Sequence, residues 1–359
     1  MRYSLVVVLV YLIGLKVAVG QQGGAQTIRL AQSIYEQGRL HELPSLPGLK
    51  DSEIIKYSKS NQVDAYRLLT LANIYLEEPE KADENMLKLL KTEHFYEPNE
   101  QVEPAEFIGL YKTFRTKPVF NIGVKFGANA TMPLLTELQY VSVGSEGKGK
   151  YSTPLSIQFG IVFEKAIFSN SKNKILNRLT FAPEVLYAAR SFGYTNAAFA
   201  GGAADFKATI KQTWLDFNPM VQLKLNKSKT LQTYVAVGPG ISYILKGSLS
   251  APTYSWVGGS VNGAGSVNGS DVDNTKSYKK IVPSVIAAAG LKFKFGAIYL
   301  LAEGRVQYGL TSPVNSSSRT NNDSVLDYNY TLPDYKPLTL MANIGFVYPY
   351  FNPIKLKRK

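Results

Sequence analysis

Glu303, Arg305 and Gln307 stand at alternating positions inside an otherwise apolar stretch, FGAIYLLAEGRVQYGL, residues 295–310. A spacing of two puts them on one face of a β-strand, with Tyr299, Leu301 and Gly309. The other face, Ile298, Leu300, Ala302, Gly304, Val306, Tyr308 and Leu310, is almost wholly apolar. A carboxylate, a guanidinium and an amide in consecutive positions could act as acid and base, line a proton or ion path, or neutralise neighbouring charges. Charged residues recur at matching parity in other strand-like stretches: Lys125, Glu164, Glu184, Arg190 and Asp216. If all of these face one interior, a mutually neutralising ion-pair network is the reading that electrostatics favours, because an unpaired buried charge is costly. Glu303 and Asp216 could be drawn as acid and base, but the sequence fixes no distance between them.

Other catalytic signals are sparse. The two histidines, His41 and His94, precede the strand region, so a Ser–His–acid triad there has no histidine and a His-rich metal site is not expected. The chain has no cysteine, which removes disulfides, thiolate metal sites and thiol catalysis. No catalytic residue, metal or cofactor is therefore expected. Lys+Arg number 40 against 27 Asp+Glu, a net charge of +13. The basic residues are scattered over expected turns (Lys172, Lys174, Lys227, Lys229) and the tail from Lys355 to Lys359. That distribution points to lipid headgroups or envelope polyanions as partners, with no nucleic acid.

The elements that must position these residues follow in chain order. Arg2, the apolar run Leu5–Val19 and the small residues Ala18-Val19-Gly20 read as a signal peptide over 1–20; an uncleaved anchor is the alternative. Residues 21–97 carry helical spacing. Ile28, Leu30, Ile34 and Tyr35 form one stripe, and Val63, Tyr66, Leu69, Leu71, Ile74 and Tyr75 a second. Pro79 opens a further helix at its first turn, with Ala82, Met86, Leu89 and Leu90. The helical hairpin resembles a tetratricopeptide repeat through Leu68, Leu71, Ala72, Tyr75, Ala82 and Met86. That resemblance implies a docking role, with Tyr66, Leu69, Tyr75, Met86 and Leu90 as the expected docking residues; a helical cap that merely packs on something is the alternative. Residues 98–116 read as a linker holding the short amphipathic piece Phe107–Tyr111.

From Pro118 the period is two. Eight strands are expected over 118–129, 154–165, 178–192, 210–225, 230–247, 280–294, 295–310 and 337–350, each with an apolar outward face and polar inward residues. The links over 130–153, 193–209, 248–279 and 311–336 are long; those over 166–177, 226–229 and 295–297 are short. Such alternation fits an outer-membrane barrel with long outer loops and short periplasmic turns. The expected fold is thus an all-β transmembrane barrel of eight antiparallel strands over 117–351, with an N-terminal all-α periplasmic domain and a basic periplasmic tail, 352–359. A soluble β-sandwich or lipocalin-like barrel is the alternative. Two outer-loop features stand out. Ser260-Val261-Asn262-Gly263 recurs as Ser266-Val267-Asn268-Gly269, continuing to Asp271 and Asp273, a flexible loop before it is a calcium site. Tyr328, Tyr330 and Tyr335 are placed to bind a glycan or protein, or to sit at a membrane interface.

With the strands counted, residues 117–351 resemble the PorT-like outer-membrane β-barrel proteins of Bacteroidota. The carrying residues are Trp214-Leu215-Asp216-Phe217-Asn218-Pro219, then Val237-Gly238-Pro239-Gly240 with Tyr243, and Gly304-Arg305-Val306-Gln307-Tyr308-Gly309-Leu310. The N-terminal helices and the residues beyond Phe351 depart from that pattern. The resemblance implies a role in secretion or envelope assembly, including type IX secretion. The expected function is a non-catalytic outer-membrane subunit, in contact with lipid, that docks envelope proteins through its helical domain. An outer-membrane ligand carrier or an enzyme at the barrel mouth is the alternative. Oligomeric state is left open by the sequence.

Overall fold

A computed structural model describes residues 21–139, 149–168, 173–199, 204–226, 228, 230–256, 265–326 and 330–356. The signal-peptide expectation and Tyr328 lie outside the described residues, as do Lys172, Lys227 and Lys229. The chain divides into two units, one of residues 1–118 with 351–359, the other of residues 119–350.

The second unit is a ring of eight antiparallel strands: β1 (Phe120–Glu137), β2 (Leu155–Ala166), β3 (Leu179–Phe199), β4 (Ala204–Lys224), β5 (Leu231–Trp256), β6 (Ile281–Phe295), β7 (Ile298–Gly309) and β8 (Asp334–Tyr350). Each strand pairs with its sequence neighbours, and β1 pairs with β8 from Phe120↔Tyr350 onward, which closes the sheet. Closure leaves no long edge, so the two-sheet sandwich alternative is excluded.

The ring is apolar outside and polar inside. Ile157, Phe159, Ile161, Val237, Ile241, Ile344 and Phe346 are exposed, while Lys125, Gln158, Glu184, Asp216, Gln222 and Asn343 are buried. In water this arrangement would expose the apolar belt at about 25 cal/mol per Å², so it is a lipid-facing surface.

Several strands run further than the alternation suggests. The stretch 193–209, expected as a long link, is mostly ladder: β3 continues to Phe199 and β4 starts at Ala204. The link between β2 and β3 is longer than this one. The cause is an inversion of the pattern. Above the apolar belt, Phe192, Phe206 and Ile210 point inward and are buried, while Lys207 and Lys211 point outward. Leu249, Tyr278, Val314, Tyr330 and Tyr335 complete this second apolar core. Backbone pairing does not depend on which face is apolar, so the β3–β4 ladder crosses the inversion without a shift from Leu179↔Leu223 to Asn196↔Phe206.

The first unit is helical: α1 (Gln21–Glu36), α2 (Asp51–Ile54), α3 (Lys59–Tyr75), α4 (Pro79–Thr92) and α5 (Ala105–Lys112). Ser58 caps α3 by accepting from the Asn61 N–H, and Glu77, at φ 59, makes the tight turn into α4. Leu68, Leu71, Ala72, Met86, Leu89 and Phe107 form the core. The stretch expected as a linker is integral to this unit, because α5 buries Phe107 completely. The basic tail also packs back: Leu356 N–H donates to Thr113, Arg115 N–H to Ile354, and Lys355 pairs with Asp83. Leu30, expected in the apolar stripe, is exposed, and Ala31, outside that stripe, is buried beside Ile34.

His94 meets the Phe351 ring edge-on at 5.2 Å between centroids. Burial lowers its pKa below the ordinary value; Lys59 adds to the fall and Glu93 opposes it. The unfolded chain therefore takes up a proton before the folded unit does. The contribution of His94 is complete above about pH 6.5 and is lost as pH falls below it. Thermal melts of the helical signal should show stability falling from about pH 7.5 to 5.5, and His94→Gln should flatten that part of the profile. An unchanged slope in the variant would assign the dependence to other groups.

Candidate functional site: the barrel interior

Seven inward charges were expected in the interior, and the ring geometry brings them within reach of one another. Toward the end holding the start of β1, Glu164 of β2 accepts from Lys292 of β6 at 2.5 Å and from Asn121 at 2.9 Å. Lys292 also lies over the Tyr234 ring, 4.8 Å from its centroid. At mid-height, Lys125 of β1 sits between Glu184 of β3 (2.9 Å) and Glu303 of β7 (3.2 Å). Arg305 joins the same two carboxylates, using both terminal nitrogens on Glu184 and reaching Glu303 at 2.8 Å. Tyr234 donates to Glu303 at 2.7 Å and Asn218 to Glu184 at 2.9 Å.

Nearer the loops, Arg190 pairs with Asp216 at 2.5 Å and donates to Gln307 at 3.1 Å. Its guanidinium stacks over Trp214, 4.5 Å from the ring centroid. The Trp214 indole N–H donates to Gln212, which itself donates to the Tyr335 hydroxyl. Each of these groups owes its place to parity on its own strand and to register between strands. Glu303↔Asn343 and Glu184↔Asn218, for example, are directly opposed pairs.

Lys125, Arg190, Lys292 and Arg305 thus meet Glu164, Glu184, Asp216 and Glu303 one for one. All eight are nearly removed from solvent. An eight-stranded barrel is just wide enough to be filled by side chains, and charges enter such a space only when paired. Lys292 joins the network beyond the seven residues expected there. Tyr234 was missed; its parity places it inward, but an aromatic residue gives no sign of which carboxylate it will meet.

The arrangement offers little for catalysis. Each carboxylate is committed to at least one cation, and no group of His, Cys, Asp or Glu among the described residues is disposed to hold a metal. At the loop end, Tyr330 and Tyr335 are buried in the aromatic cap, Tyr330 against Tyr194 and Phe206, Tyr335 against Phe192. This corrects the expectation that they present a glycan- or protein-binding face, since the inverted polarity turns them inward. Asp271 accepts from Ser250 and the Ala251 N–H, and Asp273 from the Thr275 N–H, so these carboxylates serve as turn acceptors.

The expected docking residues of the helical unit are also placed differently. Tyr66, Leu69, Met86 and Leu90 are buried in the core of that unit, and only Tyr75 is exposed, at 47%. As placed, the four hold the hairpin together, because α3 is enclosed on most of its circumference. A groove of about 400 Å³ beside them is lined by Arg29, Gln32, Ser33, Glu36, Asp64 and Arg67. Burial pushes the Asp64 carboxyl up, with Arg67 opposing. Arg67 holds Glu103 through two hydrogen bonds of 2.5 and 3.0 Å.

Among solved structures, the chain is similar to Neisserial surface protein A at 12% identity, covering 64% of this chain and 97% of that one, with a TM-score of 0.30. It is similar to the outer membrane protease OmpT of Escherichia coli at 7% identity, over 64% and 96%, TM-score 0.36. It is similar to OprG of Pseudomonas aeruginosa at 11% identity, over 66% and 97%, TM-score 0.30. These values are too low to carry a role from any of them to this chain. No curated protein matches it. Residues 118–315, more than half of the chain, match the family model described as outer membrane protein beta-barrel domain, and with its closed, inside-out sheet the chain belongs to that family.

Proposed function

We propose that the barrel is a non-catalytic outer-membrane anchor for the helical unit, which docks other envelope proteins in the periplasm. The observation that carries this reading is the interior itself: charges neutralised one for one in a space filled by side chains leave the barrel as a support and not a passage. Both barrel termini lie at the end opposite the links that carry the aromatic cap, which supports a periplasmic position for the helical unit and the tail. The exposed Tyr75 and the groove between α1 and α3, where Arg29, Asp64 and Arg67 meet Ile28 and Leu68, are two surfaces open to a partner. The PorT-like resemblance of residues 214–219, 237–240 and 304–310 supports a secretion or envelope-assembly complex, of the type IX kind, as the setting. A small-ligand site at the mouth is less supported, because the aromatic cap occupies that volume.

Two experiments test the reading. Purification from native outer membranes in mild detergent should recover partners with the intact chain that are lost when residues 26–110 are removed; identical recoveries would end the docking reading. Orientation is open to a clean probe because the chain has no cysteine. Val267→Cys, on an exposed loop strand, should react with an impermeant maleimide on whole cells, and Lys81→Cys in α4 only once the outer membrane is opened. The reverse pattern would invert the proposed topology.

A further inference from the structure

Among the described residues the eight fully buried charges of the interior are paired, whereas the outer wall just above the apolar belt does the opposite. Lys211 of β4, Lys246 of β5 and Lys280, immediately before β6, are all exposed. None of the three forms an ion pair among the described residues. Lys211 donates only to Ser250, at 2.8 Å. They occupy adjacent strands at successive steps. Thr213 opposes Lys246, so Lys211 is its diagonal neighbour; the Ile244 N–H donates to the Lys280 carbonyl, so Lys280 is the other. Such diagonals are about 7–8 Å apart, within reach of long side chains meeting over one group.

A register break makes this patch. Between Thr213 and Trp214 the pairing slips, and Leu245 and Lys246 both face outward. Without that bulge, strict alternation would turn Lys246 inward, toward the aromatic cap. The next residue must be glycine: a Cβ on Gly247 would stand 2.3 Å from the Tyr278 ring, so the chain beyond the bulge is pinned. Below the lysines the wall is apolar at once, with Leu245, Ile241 and Ile281 exposed. Tyr243 lies between, its ring 6.0 Å from the Lys280 ammonium. Asp271 lies within electrostatic reach of Lys211 and Lys246, and Asp273 of Lys246 and Lys276. Both carboxylates are held by backbone and hydroxyl donors, and Lys211 and Lys246 lower the Asp271 pKa only as lesser contributions.

Three cations without an ion pair, one of them beside the Tyr243 ring, on top of an acyl-chain surface, match one ligand chemistry: a lipid with a phosphorylated headgroup. We propose that Lys211, Lys246 and Lys280 bind the phosphate of such a lipid in the outer leaflet, with its chains along Ile241, Leu245 and Ile281. The leaflet assignment rests on the topology proposed above; the binding itself does not. The full-length protein in uncharged detergent is titrated with bisphosphorylated lipid A and with the same lipid after dephosphorylation. Lys211→Gln/Lys246→Gln/Lys280→Gln should weaken binding of the phosphorylated lipid by about a hundredfold. Lys50→Gln/Lys56→Gln/Lys81→Gln, an equal change in net charge, should leave it unchanged. Binding that survives in the first variant, or that persists on the dephosphorylated lipid, overturns the proposal. Lipid binding with an inverted maleimide pattern would keep the site and move it to the other leaflet.

Discussion

Replacing Glu184 with alanine is expected to destabilise the barrel by about 3–5 kcal/mol, the cost of leaving buried charge without its partner. Glu184 accepts from Lys125, Arg305 and Asn218, and its removal leaves two cations facing Glu303 alone. The mid-height cluster then carries a net positive charge in a space closed to bulk water. Equilibrium urea unfolding in lipid vesicles, followed by tryptophan fluorescence, measures the change as a midpoint shift at constant slope. A companion pair of variants separates charge imbalance from lost packing. Asp216→Leu strands Arg190 in the same way, whereas Asp216→Leu with Arg190→Met removes both partners. The double variant should recover part of the loss of the single one, since replacing a whole buried pair with apolar groups is often neutral. A shift below about 1 kcal/mol for Glu184→Ala would show that the interior is wet enough to solvate the two cations.

Met86→Ala is expected to cost the helical unit about 2–5 kcal/mol, the range for emptying a fully buried site of that size. Met86 has no exposed surface, and Leu89, Leu90, Leu68 and Leu71 lie in the same core. Tyr75→Ala, at a side chain 47% exposed, should change stability by about 0.5 kcal/mol or less. Melts of the far-ultraviolet helical signal in the full-length protein measure both. Read beside co-purification, the two variants divide the possible roles of the hairpin. Loss of a partner in Tyr75→Ala with the melt unchanged would locate the contact at the exposed end of α3. Retention of all partners in Tyr75→Ala would move the contact elsewhere, with the groove of Arg29, Asp64 and Arg67 the next surface to test. Equal melts for the two variants would contradict the packing of the hairpin itself.

The inward and outward faces of the strands were legible in the sequence because they depend on parity alone. Glu303, Arg305 and Gln307 needed only alternate spacing to share a face, and the absence of cysteine with just two histidines narrowed the chemistry without any geometry. The helical hairpin was legible in the same way, as a period and a proline at a first turn.

What the tertiary structure decided depends on distance through space. Lys125 and Glu303 lie 178 residues apart, and no local pattern tells which carboxylate a lysine will meet; ring closure and register decide it. A helical stripe reveals amphipathicity but not how many sides will be covered, so Tyr66, Leu69, Met86 and Leu90 looked available until α1 and α5 packed over them. The inversion of polarity in β3 and β4 read as a loop because an alternation that changes sign cancels within a short window. Lys246 faces outward only through a bulge, and a single extra residue in one strand leaves no trace in composition or period. The sequence by itself determined the faces; the partners across those faces, and which surfaces remain open, were decided by the fold, because pairing and burial are set by which strands and helices become neighbours.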